Sequence, residues 1–205
     1  MQGRQVTRWP GWIGELPWRA LEVGHAGGGH AWGVLSIWML VENLSHHWHR
    51  LQAVQEGGFF LFRAASYQGQ AHQLVDGRMV KKGDRVIELH LDNRRLSLVQ
   101  QALDYRAWQV VHGLREDLAV LLKRVRSGQE GEVVALHGVS LTGAAGGLLG
   151  FEVQELKHTW QNALLRYFLV GLDAVYHKDG LERLKGHWRE RWPCEIWMDA
   201  AREAA

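Results

Sequence analysis

The segment from Glu88 to Asn93 carries the residues of this chain best suited to acid and base chemistry. Glu88, His90 and Asp92 alternate along a predicted strand, so their side chains should project from one face. Neighbouring carboxylates favour the imidazolium form of a histidine, which changes charge near neutral pH and can exchange protons with a ligand. Asn93, at the strand end, is predicted to cap the helix that follows, and it could instead orient a ligand carbonyl. A solvated strand face beside a helix cap is the alternative interpretation, and the residue types alone favour it.

A catalytic site at His90 needs a second polar group, which His137 or Glu152 could supply from later predicted strands. The candidate catalytic residues are therefore Glu88, His90, Asn93 and His137. In an enzyme, these groups and Glu152 should line one concave pocket. In a non-catalytic binding domain they should be scattered, and an exposed aromatic patch should be found instead. Whether the protein is an enzyme stays open at this point.

A possible anion site follows the next buried strand, at the turn that leads into a Gly- and Ala-rich helix. Unpaired backbone N–H groups at such a turn can bind a phosphate or a carboxylate. Ser140, Thr142 and Gly143 are therefore the candidate cofactor-binding residues, although the sequence identifies no cofactor. The segment matches neither G-x-x-x-x-G-K-[ST] nor G-x-G-x-x-G. A Ser or Thr helix cap, with glycines that permit close packing, is the favoured alternative.

The histidines do not have the spacing of a metal site. His46 and His49 stand three residues apart, but the chain contains no H-E-x-x-H pattern and Cys194 is its one cysteine. We interpret these histidines as surface residues near a helix end and predict no metal. A single cysteine cannot form an intramolecular disulfide, so we expect a reducing, cytoplasmic location.

The composition is that of a soluble globular domain. The chain has 205 residues, a formal net charge of +2, 46% hydrophobic and 22% charged residues, which excludes disordered and collagen-like chains. The basic segments are short, and acidic residues balance their charge over the whole chain, so no nucleic-acid partner is expected. The most apolar stretch, Ala31–Val41, is shorter than the roughly 20 residues that a membrane-spanning helix needs. No transmembrane segment is therefore predicted.

Residues 1–30 are predicted to form an irregular arm, because glycines interrupt them repeatedly. Tryptophan is concentrated at both ends of the chain, at Trp9, Trp12, Trp18, Trp188, Trp192 and Trp197. Packing of the two ends against each other would bury these large side chains. An aromatic surface for stacking sugars or partners is the alternative.

Residues 31–205 are predicted to form a single mixed α/β domain, in which an antiparallel β-meander is extended by a β-α-β unit and flanked by three to four helices. A helix is predicted over 31–53, and strands over 59–66, 70–75, 78–80 and 85–91, with a tight turn at Asp76-Gly77. A helical stretch to Arg126 should break near Asp104–Tyr105 or Gly113. The β-α-β unit comprises 132–139, 142–149 and 150–156, its strands parallel.

The remaining predicted elements are a helix over 158–175 and a last strand over 195–198, after which Asp199 could cap a turn. Each predicted element presents an apolar stripe to a common core. Trp38, Leu89, Phe151 and Phe168 lie on these stripes, and we predict that they are buried together.

Several of these strings together resemble the YkoP-like domain, over residues 31–200. They are Val75-Asp76-Gly77, Val80 to Asp84, Glu88 to Asn93 with Leu96, Leu136 to Val139, Leu149 to Val153, and Glu195 to Met198. The resemblance implies a family of spore-forming and related bacteria, found alone or appended to polysaccharide deacetylases. The Asp-Asp and His-x-x-x-His motifs of those deacetylases are absent, so the resemblance implies no deacetylase activity for this chain.

The expected function is that of an accessory domain that binds a small molecule, a glycan or a protein partner in bacterial envelope or sporulation-related polysaccharide metabolism. The alternative is an acyltransferase-like enzyme, which would bind an anionic cofactor at the strand, turn and helix of residues 135–150. This segment is similar to the cofactor-binding part of N-acetyltransferases, but it lacks their [QR]-x-x-G-x-[GA] loop. Analogy of fold alone is weak support for a function.

Overall fold

The computed structural model of the chain describes residues 51–100, 107–176 and 191–201. The predicted arm, most of the helix predicted from Ala31, Trp38, and the pair His46 and His49 lie outside the described residues. The end of that predicted helix is wrong, because Gln52–Ala53 form a short strand that pairs with the next one.

The described residues form eight strands and four helices. The strands are β1 (Gln52–Ala53), β2 (Phe60–Ser66), β3 (His72–Gln73), β4 (Met79–Val80), β5 (Arg85–Leu91), β6 (Ala135–Ser140), β7 (Glu152–Glu155) and β8 (Cys194–Asp199). The helices are α1 (Asn93–Gln100), α2 (Ala107–Arg126), α3 (Gly143–Leu148) and α4 (Trp160–Tyr176).

Six strands form one mixed sheet in the order β1-β2-β5-β6-β8-β7, which confirms the predicted mixed α/β class. Only β5 and β6 are paired in parallel, and α1 and α2 connect them. Strands β6 and β7 are both antiparallel to β8, so they run parallel to each other with β8 between them. The predicted β-α-β unit is present, but the last strand of the chain is inserted into it.

The predicted four-strand meander is wrong, because its two middle strands are not part of the main sheet. β2 pairs directly with β5 along its whole length, from Phe60 opposite Leu91 to Ser66 opposite Arg85. β3 and β4 form a separate two-stranded hairpin that packs across the sheet. The physical reason is that Leu74 and Val80 are apolar and bury themselves against one face of the sheet, which an extra strand at its edge would not achieve.

The predicted turn at Asp76-Gly77 is confirmed. Gly77 has a φ of 90°, and its N–H donates to the carbonyl of Leu74 at 2.8 Å. The Asp76 carboxylate accepts from the backbone N–H of Arg78 at 2.9 Å, which closes the same turn. Glycine is required here because other residues adopt a positive φ only at a cost.

The first face of the sheet carries the main core, which helix α2 covers. Phe62, Ile87 and Leu136 project from β2, β5 and β6 and pack with Leu121 and other apolar residues of α2. The larger set of buried core side chains also contains Leu89 and Phe151, as predicted. Phe168 is only half-buried and is not among the buried residues of this cluster, so that part of the prediction is wrong.

The described parts of the long helical stretch form α1 and α2, and the predicted break near Asp104–Tyr105 lies outside the described residues. The alternative break at Gly113 is wrong, because α2 runs through that position without interruption. A Cβ atom at Gly113 would lie 2.4 Å from the ring of Phe59, so glycine there permits close packing.

A buried carboxylate attaches α2 to the turn before β2. Asp117 is fully buried, and its oxygens accept from the backbone N–H groups of Phe59 at 2.6 Å and Phe60 at 2.8 Å. The side-chain amide of Gln55 donates to the same carboxylate at 2.7 Å. These bonds attach α2 to the end of the sheet where β2 starts and β5 ends.

Candidate functional site

The second face of the sheet presents one residue from each of five neighbouring strands in register. Arg63 pairs with Glu88, Glu88 with His137, His137 with Trp197, and Trp197 with Glu152. Paired residues of neighbouring strands project to the same side, so these side chains form a row, which we call the polar row. The polar row combines charged and imidazole side chains with a fully buried indole, that of Trp197, and this combination marks the face as the candidate site.

Aromatic rings meet at the centre of the polar row. The indole of Trp197 is fully buried and stacks on the His72 ring, with centroids 4.5 Å apart and planes 11° apart. The His137 ring lies 4.1 Å from the same indole at a tilt of 30°, and the Tyr67 ring meets it edge-on at 5.3 Å. We call Tyr67, His72, His137 and Trp197 the ring cluster.

Glu195 adds a carboxylate to the ring cluster from the same face of β8. Its Oε1 lies 3.5 Å from Nε2 of His137, and the two side chains are 24% and 15% exposed. The pKa of Glu195 lies below its ordinary value, and the main cause is the polar contact with His137. This contact is long for a hydrogen bond. Burial opposes this shift, whereas the charge of His137, a polar contact with Trp197 and the charge of His72 support it.

Three buried nitrogen atoms of the ring cluster form no hydrogen bond of good geometry among the described residues: Nε2 of His72, Nε2 of His137 and Nε1 of Trp197. His137 and Trp197 make only the weaker polar contacts with Glu195. The indole nitrogen can only donate, whereas each imidazole nitrogen donates or accepts according to its tautomer. A buried polar group left without a partner costs about 1–3 kcal/mol. The nitrogens of the ring cluster are therefore able to form further hydrogen bonds, and they lie near the carboxylate of Glu195.

Residues 67–84, which contain β3 and β4, are called the flap below. The flap contributes Tyr67 and His72 to the ring cluster and covers its two sheet residues, His137 and Trp197. Leu74 and Val80 of the flap pack with Val86, Ala135 and Trp197 on the sheet. Polar contacts attach its rim: Val75 N–H donates to Glu152 at 2.9 Å, Arg78 donates to Asp199 at 2.8 Å, and Lys157 donates to Gln70 at 3.1 Å. The flap is thus attached to three different parts of the sheet and its connections.

The model of one protein family, the YkoP domain, matches residues 32–202. The chain belongs to the YkoP domain family. The match spans the whole described sheet, the flap and the ring cluster, so these features belong to the YkoP domain of this protein. No curated protein and no solved structure matches the chain.

In this YkoP domain, Glu88 and His90 share one face of β5, as the alternation predicted. Glu88 forms an ion pair with Arg63, and His90 lies partly buried at the position opposite Leu61. His137 is the neighbour of Glu88 in register, so the structure brings two predicted catalytic residues to adjacent strands.

Asp92 lies beyond the end of β5, so it is not part of the strand face that carries Glu88 and His90. The prediction that Asn93 caps the following helix is wrong. Asn93 is the first residue of α1, and Asp92 is the cap. The Asp92 carboxylate accepts from the N–H of Arg95 at 2.9 Å, and its carbonyl accepts from Leu96 at 2.9 Å. A carboxylate that can bond an N–H three residues later is a good cap, which explains the difference.

The turn of the YkoP domain that includes Ser140, Thr142 and Gly143 uses its polar groups internally. The two hydroxyls lie 3.1 Å apart, and the N–H of Thr142 donates to Ser140 Oγ at 3.0 Å. A Cβ at Gly143 would lie 2.7 Å from Val153, and one at Gly146 would lie 2.8 Å from Ile196. These glycines allow α3 to lie directly on β7 and β8, in agreement with the close-packing part of the alternative interpretation. The Ser or Thr cap is wrong in part, because Thr142 stands at the N-cap of α3 but forms no side-chain cap bond. The cofactor role of the turn stays a prediction.

The predicted catalytic set does not converge on one point. Glu88 and Glu152 are three strand spacings apart, about 14 Å, with His137 and Trp197 between them. Glu152 also accepts a hydrogen bond from the flap. The residues that do meet are the ring cluster and Glu195, most of which the sequence analysis did not select.

One signal in the sequence could have identified part of this group. Glu195 and Trp197 alternate within the predicted last strand, which places them on one face. No local pattern indicates His72, because its contact with Trp197 depends on how the flap packs on the sheet.

The described parts of the chain contain no group of three His, Cys, Asp or Glu side chains able to hold a metal ion. In the same residues, no helix combines the length and the apolar character that crossing a bilayer demands. Two tryptophans, Trp108 on α2 and Trp160 on α4, are 64% and 58% exposed, so the domain presents aromatic surface on two helices.

Proposed function

We propose that this YkoP domain is a non-catalytic accessory domain and that it binds its ligand on the second sheet face, at His137 and Glu195. The observation that carries the proposal is the set of three buried nitrogens that form no hydrogen bond of good geometry around one carboxylate. Sheet faces that serve only to pack a core rarely leave several polar atoms unpaired in one place. A ligand with hydrogen-bonding groups would satisfy atoms that the described residues leave unsatisfied.

Binding fits the geometry better than catalysis. The charge of Glu88 is neutralised by Arg63, and Asp92 is engaged as a helix cap. A general acid or base must lie within hydrogen-bond reach of the proton that it moves. The predicted catalytic residues are distributed over β5, the start of α1 and β6, and Glu152 lies on β7. No contact in the turn at Ser140 and Thr142 favours the acyltransferase alternative, because the two hydroxyls bond to each other.

The proposed setting is bacterial envelope or sporulation-related polysaccharide metabolism, with a glycan, small molecule or protein as the partner. This setting is proposed from membership of the YkoP domain family. Cys194 forms no disulfide, which is compatible with the proposed cytoplasmic location.

The test is isothermal titration calorimetry of the full chain with three probes: the β-1,4-linked trimer of N-acetylglucosamine, muramyl dipeptide and glucose. The variant His137→Phe keeps a ring beside Trp197 and removes the nitrogens. The matched control is His112→Phe, because His112 is 63% exposed on α2. We expect at least one probe to bind the parent and the control equally, and His137→Phe at least about tenfold more weakly. Binding of no probe, or equal binding by His137→Phe, would contradict the proposal.

A further inference from the structure

We infer that the flap is a lid, which opens from the main sheet as one unit while the sheet stays folded, and which thereby gives a ligand access to His137 and Trp197. The role of the lid rests on the proposed function, because a ligand can reach the buried nitrogens beneath the flap only if the flap moves. The way in which the flap is attached to the domain carries this inference.

No backbone–backbone hydrogen bond joins the flap to the main sheet within the described residues. β3 and β4 pair with each other in a separate two-stranded sheet. The turn between them is closed by bonds inside the flap, from Leu74 N–H to Arg78 and from Gly77 N–H to Leu74. The flap can therefore leave the sheet without breaking a strand pairing, which is the property of a unit that opens independently.

Both ends of the flap meet at one point, beside the last pair of the β2–β5 ladder, Ser66 opposite Arg85. Tyr67 N–H donates to Asp84 at 2.8 Å, and Gly83 N–H donates to Tyr67 at 2.8 Å. Gly83 has a φ of 98°, and no described atom lies within 4 Å of a Cβ there, so the backbone has room to rotate. This joint is the hinge of the lid.

Beyond the hinge, the flap is attached through side chains. Arg78 forms an ion pair with Asp199 at 2.8 Å, and the arginine side chain is 42% exposed. Water replaces such a contact at little cost, so the ion pair acts as a weak latch. The buried side chains of Leu74 and Val80 keep the closed state dominant, because opening returns them to water.

The atoms beneath the flap favour opening. The buried nitrogens of His72, His137 and Trp197 form no hydrogen bond of good geometry in the closed domain. Opening lets water or a ligand supply these bonds, which offsets part of the cost of exposing apolar surface. The core under α2 differs, because its buried carboxylate, Asp117, is already bonded to backbone N–H groups.

The test measures how fast a buried cysteine reacts on each face of the sheet. Val86 and Ile87 are neighbours on β5 and are both fully buried, Val86 beneath the flap and Ile87 in the core that α2 covers. Val86→Cys and Ile87→Cys are made separately in the full chain with Cys194→Ser. Each is labelled with a small thiol reagent at increasing urea concentrations, and its global unfolding is measured in parallel.

We expect Val86→Cys to react at least about tenfold faster than the global unfolding of the same variant allows, with a shallow dependence on urea. Ile87→Cys should react only as fast as its own global unfolding permits. Val86→Cys labelling that follows global unfolding would overturn the inference, and so would an equal excess at Ile87→Cys. Ala135→Cys on β6, also fully buried beneath the flap, is the second probe if Val86→Cys does not fold.

The latch is tested in the same assay. Arg78→Gln removes the ion pair with Asp199 and should speed the labelling of Val86→Cys about two- to fivefold. Lys82→Gln, at an exposed lysine of the flap, should leave the rate unchanged. Equal rates in the two variants would contradict the latch.

Failure of the lid and failure of the proposed function give different results. If a probe binds through His137 while the cysteine beneath the flap reacts only on global unfolding, the proposed function stands and the lid is wrong. If that cysteine reacts early and no probe binds, the lid stands and the proposed function is wrong.

Discussion

His72 and Trp197 stack face to face, 4.5 Å apart, although they belong to two different sheets. His72 lies on β3 in the flap, and Trp197 lies on β8 near the far edge of the main sheet. This contact connects the flap to the site, because the indole that His72 covers is the same one that touches His137. A change that loosens the flap should therefore also alter the positions of the rings around Trp197.

Replacing His72 with Ala should loosen the flap without unfolding the sheet. Aromatic stacking is worth about 0.5–1.5 kcal/mol beyond burial, so flap amides should exchange roughly 2- to 13-fold faster. Hydrogen exchange at Tyr67 N–H and Leu74 N–H, which donate to Asp84 and Arg78, reports this change. Gln73→Ala, at the exposed neighbouring position of β3, is the control, and equal exchange in the two variants would show that the stack does not hold the flap.

Replacing Phe151 with Ala should destabilise the domain by about 3–5 kcal/mol, because the side chain is 5% exposed within the main core. Val153→Ala is the control, since Val153 is 42% exposed on the following strand. Thermal and urea denaturation measure both changes. A Phe151→Ala protein that melts with the parent would show that β7 does not pack on this core as described.

Replacing Gly77 with Val should strain the flap turn. The φ of 90° is unfavourable for a side chain, and nothing lies within 4 Å of a Cβ there, so backbone strain of about 1–2 kcal/mol is the dominant effect. The matched control is Gly147→Val in α3, which also has open space but no positive φ. Equal stability of the two variants would contradict the turn geometry.

Glu195 should make the stability of the domain depend on pH in the acid range. The pKa of Glu195 is lower in the folded chain than its ordinary value of 4.5, so the folded state favours the ionised carboxylate. This contribution is complete above the unfolded pKa and is lost as the pH falls through the folded pKa. The free energy of unfolding of Glu195→Gln should therefore approach that of the parent as the pH falls below about 4.5.

Urea denaturation of both proteins between neutral and acidic pH measures this difference. Glu155→Gln serves as the control, because Glu155 is exposed and pairs with the exposed His158. A constant difference between Glu195→Gln and the parent across this range would mean that the His137 contact does not stabilise the ionised carboxylate.

Asp117 should be critical for the stability of the edge of the sheet. Asp117→Ala leaves the buried N–H groups of Phe59 and Phe60 without their acceptor, which should cost about 3 kcal/mol or more. Glu116→Ala changes the exposed carboxylate beside it and should cost little. Denaturant unfolding compares the two variants, and losses of similar size would show that the buried bonds are not the cause.

Much of the sheet could be predicted from the sequence, because its strands follow local patterns. β5 was predicted with its observed bounds, and the Gly77 turn and the helix after β6 were predicted close to their observed positions. These elements depend on alternation, turn residues and helix breakers, which act over a few residues. Leu89 and Phe151 were placed correctly in the core for the same reason.

The site could be predicted only in part, because it is made by tertiary packing. Glu88 and His137 become neighbours only through the parallel pairing of β5 and β6, and His72 enters only because the flap folds over the sheet. Sequence patterns indicated a meander in which the flap strands lie within the sheet, between β2 and β5. Burial of Leu74 and Val80 on the sheet face outweighs that arrangement, and it carries His72 to Trp197.

The most direct test of ligand binding at His137 and Glu195 is the hydrogen exchange of the Trp197 indole N–H, with the resonance assigned by Trp197→Phe. In the parent this donor forms no hydrogen bond of good geometry among the described residues, so a ligand that accepts from it should move the resonance downfield and slow its exchange. The account predicts both changes on saturation with glucose or the N-acetylglucosamine trimer, and their loss in His137→Phe but not in His112→Phe. A ligand that binds the domain while the Trp197 resonance keeps its position and exchange rate would contradict the account.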